Sequence, residues 1–206
     1  MNYFPFFVDV TEQPGLIVGG GRIALHKVQK LAPFHAKLTI VAEEFLPAFA
    51  EYEQAGVISC IKKKFEDTDV ESQLFVIAAT DDENLNGRIS ELCKEKRILV
   101  NVVDDQEKCG FLFPSLVKAG DFVAGISTGG ASPQIAVTAR KRIEEELPSS
   151  MEEILEVLAA VRPEAKRRIG ASGQRAAFFK EAASLSLEED RALSAEELEA
   201  LLRKYE

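Results

Sequence analysis

The sequence contains no tryptophan, two methionines, two histidines and three widely spaced cysteines, Cys60, Cys93 and Cys109. That cysteine spacing matches neither a disulfide framework nor a zinc site and suits a reducing compartment, so the thiols are expected to be packing residues. No apolar stretch approaches the roughly 20 residues that a membrane helix needs. The opening segment, MNYFPFFVDVTEQPG, has no basic leader or small-residue cleavage site, and acids and Pro14 interrupt it. It does not read as a signal peptide, and a cytoplasmic location is expected. Basic residues are outnumbered, 25 Lys and Arg against 34 Asp and Glu, for a formal net charge of −9. A general nucleic-acid binder needs a basic face and is thereby excluded. What remains is an ordinary globular balance, 46% hydrophobic and 29% charged, over a length that holds one standard domain and a smaller helical piece.

Short apolar runs and amphipathic segments alternate along the first half. Phe6 to Val8 and Leu16 to Val18 open the chain, and the second runs into Gly19-Gly20-Gly21. Residues 22–32 carry Ile23, Lys27, Val28 and Leu31 at helical spacing, and Pro33 closes the helix. Strands are expected at 38–41, 57–61, 74–79 and 98–103, with helices at 44–54 and 84–94. The run Leu74 to Ala79 is almost continuously apolar, as in a strand covered on both faces. This alternation predicts an α/β fold, a Rossmann-like doubly wound parallel sheet. After Asp104 the pattern changes. Phe111 to Pro114 and Phe122 to Ile126, joined across Lys118 to Asp121, predict an antiparallel hairpin. From Ser132, a capping residue before Pro133, the chain reads as helical, divided at Pro148 and Pro163. The acidic tail from Leu185 carries a capping box at Ser194 and Glu197 and predicts an amphipathic terminal helix. The expected divisions are 1–108, a segment 109–147, and a helical domain 148–206.

The strongest local signal is Gly19-Gly20-Gly21-Arg22-Ile23-Ala24, a G-x-G-x-x-A fingerprint between a strand and a helix. Gly19 permits the tight turn and Gly21 the close approach of a pyrophosphate. Ala24 lets the helix lie near the sheet, and the helix N-terminus offers free N–H groups at Arg22 and Ile23. About twenty residues on, Glu43 and Glu44 stand where a carboxylate accepts from a ribose 2′-hydroxyl, which favours NAD over NADP. A solvated acid at a helix start is the equal alternative. Thr80, after the fourth strand, can touch the ribose or the nicotinamide side; Asp81 or Asp82 can instead cap the next helix. Asp104 follows a buried strand ending at Val103 and should stand at the mouth of the crevice. There it is either a proton acceptor or an ordinary turn aspartate.

These motifs, together with Lys27, Asn101-Val102-Val103-Asp104 and Ser127-Thr128-Gly129-Gly130-Ala131-Ser132-Pro133, resemble the precorrin-2 dehydrogenase/sirohydrochlorin ferrochelatase family, which includes the N-terminal half of siroheme synthase. The resemblance covers residues 1 to about 180. It implies NAD as oxidant, precorrin-2 as substrate, sirohydrochlorin as product, and a homodimer formed through the 109–147 segment. It implies Asp104 as the catalytic residue for dehydrogenation and for insertion of Fe²⁺, a lyase reaction in which iron is a substrate. Cofactor contacts are implied at Gly19, Gly20, Gly21, Arg22, Ile23, Glu43, Glu44, Thr80, Asp81 and Val103. Substrate contacts are implied at Ser115, Lys118, Thr128, Gly129 and Ser132, and no resident metal ligand is expected. Because precorrin-2 is polyanionic, Arg140, Lys141, Arg142, Arg162, Lys166, Arg167 and Arg168 are further candidates, each with a solvated charge as the alternative. The chain departs from the family at His35, where a glycine is common, at His26 in place of a basic residue, and at Thr128 in place of a serine. No histidine outside the first third is available to assist metal insertion. The rival from another class is a regulatory dinucleotide-binding module, which has no use for Asp104 or the 127–133 loop.

Overall fold

The computed structural model describes residues 3–206 and divides into two compact units, residues 3–113 and residues 114–206. In the first, five strands form one parallel sheet: β1 Pro14–Val18, β2 Lys37–Ala42, β3 Ile58–Lys62, β4 Phe75–Ala78 and β5 Leu99–Val102, in the order β3-β2-β1-β4-β5. The order reverses between β1 and β4, and ligands of open α/β sheets bind outside the carboxyl ends at that point. Alternate residues of each strand feed opposite faces. Leu16, Val18, Val76 and Val100 pack with Ile89 and Cys93 of α3 (Glu83–Lys96). Ile17, Ile40 and Ile77 pack with Ala24 and Val28 of α1 (Arg22–Leu31) and Phe49 of α2 (Phe49–Gln54). Both sheet faces are therefore covered, which is why β4 reads as unbroken apolar sequence and every residue of it is buried.

Three local expectations need correction. The helix predicted at 44–54 begins only at Phe49, because Pro47 disfavours helical backbone in the residue before it. The first hairpin strand is not Phe111 to Pro114 but β6, Ser115–Ala119, paired with β7, Phe122–Ile126. Phe111 and Phe113 instead pack with Phe75 against the sheet, with ring centroids 6.4 Å (Phe75–Phe111) and 5.6 Å (Phe111–Phe113) apart. Gly110 and Phe111 tie this segment down by donating to the Val100 carbonyl at 2.7 and 3.2 Å. Nor does Pro163 divide the chain: it lies inside α5, Met151–Arg168. Proline removes one backbone bond there, but burial of Ile154 before it and of Ala165 and Ile169 after it keeps the helix continuous.

The second unit joins the hairpin to α4 (Pro133–Glu146), α5, α6 (Ser172–Glu189) and α7 (Ala195–Tyr205). Its core is Ala165, Ile169, Phe178, Ala182, Leu193, Leu201 and Leu202. Pro148 falls in the break between α4 and α5. The Ser194–Glu197 capping box is present, and Leu201 and Leu202 seat the acidic terminal helix on its own unit. Arg168 gathers Glu199 at 2.6 Å and the Glu206 carboxylate. Residues 109–113 of the expected middle segment pack with the sheet unit, and 114–147 with the helical unit. Among the described residues no helix is long and apolar enough to cross a membrane.

Candidate functional site

The carboxyl edge of the sheet is a row of loops stitched together by backbone bonds. Lys63 donates to the Ala42 carbonyl, Gly19 to Val41, Ala79 to Val18 and Val103 to Ala78, at 3.0, 2.9, 2.8 and 3.0 Å. Each bond continues the parallel ladder one residue past the strands, so the loops leave the sheet side by side. Between them opens a cleft of about 480 Å³ lined by Gly19, Gly20, Gly21, Glu43, Glu44, Thr80 and Asp81, all seven anticipated from sequence. Lys63, Lys64 and Phe65 line it too.

The glycine turn is built for close approach. Gly19 has φ +125°, and a Cβ there would lie 2.2 Å from the Ala79 carbonyl oxygen; one on Gly20 would lie 1.9 Å from that of Glu44. Around Gly21 an added Cβ meets nothing within 4 Å: this is open space, at the N-cap of a helix with no capping side chain and no acid in its first turn. An uncapped helix N-terminus facing a gap beside a glycine fits a dinucleotide pyrophosphate, whose charge the free N–H groups and helix dipole favour. Arg22 and Ile23 are exposed in that first turn but do not line the cleft.

Asn86, only 5% exposed, fixes the loop after β4. Its amide donates to the Thr80 carbonyl at 2.9 Å, and its Oδ1 accepts from the Thr80 hydroxyl at 2.7 Å and from the Thr80 N–H at 3.3 Å. The Thr80 hydroxyl is thus turned toward Asn86 while the residue as a whole borders the cleft. Asp82 is the cap of α3, accepting from Asn84 and Leu85 at 2.9 and 3.1 Å, which leaves Asp81 exposed at the opening. Asn86 was not singled out from sequence; its position one turn into a helix after the Thr80-Asp81-Asp82 run is the available signal.

Val103 and Asp104 do not line the cleft; they belong to the neighbouring loop after β5. Asp104 is exposed in a turn with φ +59°, a left-handed conformation that aspartate tolerates better than most residues. With β4 lying between β1 and β5, it stands about two strand spacings, ~10 Å, from the glycine turn. Buried Cys109 anchors the loop. Its sulfur accepts from Val102 N–H at 3.2 Å, lies 3.2 Å from the Asp105 carbonyl, and receives Asn101 Nδ2 at 3.5 Å. Burial pushes this thiol's pKa up, and that of buried Cys93 up to about 11, so both are structural rather than reactive.

Lys27, on α1, is half-buried, with Nζ 4.0 Å from the centre of the Phe113 ring, and among the described residues it forms no ion pair. Burial lowers its pKa, opposed by the neighbouring Cys109 sulfur and by the negative charge of Asp104. A desolvated cation therefore stands within electrostatic reach of Asp104. His35 adopts φ +55°, the conformation a glycine takes easily, so the substitution alters the residue and keeps the turn.

In the other unit, Ser115 and Lys118 lie on β6, and Lys118 donates to the Gly120 carbonyl at 2.6 Å. The Thr128 hydroxyl accepts from Ser132 N–H at 3.1 Å and donates to the Ser132 carbonyl at 2.9 Å. The Ser132 hydroxyl caps α4 through Ile135 N–H at 3.3 Å, and Gly129 takes φ +62°. Both hydroxyls thus build the loop itself. Of the further cations, Arg140 pairs with Glu144, Arg167 with Glu164, and Arg168 with Glu199, while Arg162 covers the Phe179 ring. Lys141, Arg142 and Lys166 are exposed.

Residues 6–115 match a family model described as "Putative NAD(P)-binding". The chain belongs to this NAD(P)-binding family. It is also 40% identical over 179 residues to a siroheme synthase of Thioalkalivibrio sulfidiphilus, covering 87% of this chain and 37% of that protein. A siroheme synthase of Sodalis glossinidius is 37% identical over 182 residues, covering 88% and 39%. The chain spans under two-fifths of the length of these relatives. Among solved structures it resembles SirC, precorrin-2 dehydrogenase, with a TM-score of 0.75 over 98% of both chains at 21% identity, a likeness of fold. For this member of the NAD(P)-binding family, the glycine turn, Glu43 and Thr80 all fall inside the matched segment.

Proposed function

We propose that this chain oxidises precorrin-2 to sirohydrochlorin with NAD as the oxidant. The observation that carries the reading is Asp104: an exposed carboxylate, held by a strained turn one loop beyond the dinucleotide cleft, on the same edge of the sheet. The siroheme synthase relatives supply the substrate class. Oxidising precorrin-2 removes a hydride and a proton. NAD bound in the cleft supplies the hydride acceptor. Gly19, Gly20 and Gly21, with the N–H groups of Arg22 and Ile23, receive its phosphates, and Glu43 or Glu44 its ribose. Asp81 borders the cleft's opening, and Val103 leads from β5 into the loop of Asp104. Asp104 accepts the proton from the macrocycle; its exposure lets substrate reach it, and the Cys109-anchored loop keeps it from drifting. Lys27 stands within electrostatic reach of it. Ser115, Lys118 and Gly129 are the proposed carboxylate-receiving groups of the substrate, and Thr128 and Ser132 shape the loop that carries Gly129.

The finer assignments belong to the same reading: a cytoplasmic homodimer, segment divisions at 108 and 147, and iron as a second substrate inserted after oxidation. The test is direct. The chain is mixed with NAD and enzymatically made precorrin-2, and the sirohydrochlorin and NADH absorption bands are followed together. Equimolar growth of both supports the proposal. Tight NAD binding without turnover favours a regulatory dinucleotide module. Adding Fe²⁺ after the oxidation reads the metal step in the same cuvette.

A further inference from the structure

The end of the cleft that lies over β2 and β3 carries two opposite charges. Glu43 leaves the carboxyl end of β2 and Lys64 that of β3, and both line the cleft. The strands are paired in register, Ala42 opposite Lys62, so the two side chains emerge as neighbours, with Lys64 Nζ 3.9 Å from the Glu43 carboxylate. Both are mostly exposed, at 81% and 66%. Lys63 lines the same wall but is already committed, at 2.7 Å to Asp69 and 2.8 Å to Glu66. The Glu43 loop is held against the glycine turn by the bond from Leu46 N–H to the Gly20 carbonyl, 3.0 Å. Its distance from any pyrophosphate bound at that turn is therefore set by the backbone.

A carboxylate at the end of the second strand accepts from a ribose 2′-hydroxyl and repels a 2′-phosphate; a cation beside it reverses the second effect. We infer that Lys64 makes this cleft tolerant of a 2′-phosphate, so that the chain binds NADP(H) as well as NAD(H), with Lys64 turning from Glu43 to the phosphate. An exposed ion pair contributes little, so releasing it costs little. The phosphate offers the ammonium close to two negative charges in place of one. Glu43 remains nearby, which leaves NAD(H) the tighter ligand. The inference rests on the dinucleotide reading of the cleft and is independent of the tetrapyrrole.

Binding of NADH and of NADPH to the full chain is measured by cofactor fluorescence at low ionic strength, for the wild type, Lys64→Met and Glu43→Gln. The wild type is expected to bind NADPH within about tenfold of NADH. Lys64→Met should weaken NADPH about fivefold and leave NADH within twofold, the size of effect an exposed charge exerts. Glu43→Gln should shift the preference toward NADPH. Added salt should shrink these differences. The inference is overturned if the wild type binds NADH but not NADPH, or if Lys64→Met changes both cofactors equally or neither. Failure to bind either cofactor would remove the dinucleotide reading as well, and is told apart by the NADH arm.

Discussion

Single alanine substitutions along the glycine turn separate folding from binding, because the three glycines meet different surroundings. At Gly19 the added methyl carbon lies 2.2 Å from a carbonyl oxygen, and φ is +125°. Left-handed backbone costs a non-glycine residue about 1–2 kcal/mol, and the clash forces a main-chain shift of about 1–3 kcal/mol more. Gly20→Ala meets a backbone oxygen at 1.9 Å and bears the second cost alone. Gly21→Ala meets nothing within 4 Å, and its extended backbone, φ −88° and ψ −172°, suits alanine. Its stability should change by no more than about 0.5 kcal/mol. The methyl group, however, occupies the gap assigned to the pyrophosphate, where hydrogen bonds to a charged group contribute about 1.5–3 kcal/mol. Thermal unfolding and NADH titration of all three variants check this. Gly19→Ala and Gly20→Ala should unfold several degrees earlier, Gly19→Ala the more so. Gly21→Ala should melt with the wild type and bind NADH at least tenfold more weakly. A Gly21→Ala protein that binds NADH normally would refute the placement of the phosphates.

Two further outcomes follow from named contacts. Asn86→Ala leaves the Thr80 backbone and hydroxyl without their partner and should lower stability by about 1–3 kcal/mol, measured by denaturant unfolding; Asn86→Asp, which keeps the acceptor and loses the donor, should fall between. The helical unit should be acid-sensitive. Arg191 holds Glu197, and Arg168 holds Glu199, each down to about 2. A carboxylate whose folded pKa lies below its unfolded value adds stability above the unfolded value and loses it as pH falls toward the folded one. Far-ultraviolet circular dichroism melts should therefore weaken between about pH 4.5 and pH 2, and Arg168→Met should flatten that dependence.

The parallel sheet was legible because burial on both faces leaves a plain mark, short apolar runs such as Leu74 to Ala79 set between amphipathic helices. The glycine turn was legible because its chemistry is local: strand, turn and helix are contiguous in sequence. Asp104 was legible as a residue that follows a buried strand. The Phe111 to Pro114 run misled because aromatic residues suit both strands and packed plugs, and only its bond to Val100 decides between them. Pro163 misled because the burial that overrides it comes from residues on α6 and α7. Lys27 and Lys64 gained meaning only from distant partners, Phe113 and Glu43, which the topology brings together, and Asn86 from the turn that folds it back onto Thr80. The hydroxyls of Thr128 and Ser132 show the reverse: promising groups that their own loop employs.

The proton-accepting role of residue 104 is tested most directly by Asp104→Asn. Asparagine also tolerates the left-handed turn at φ +59°, so the loop survives and only the base is lost. Stopped-flow oxidation of precorrin-2 by NAD, with NADH affinity measured on the same preparation, should show a fall of about 10²-fold or more in rate at unchanged affinity. Oxidation at the wild-type rate by Asp104→Asn would contradict the account.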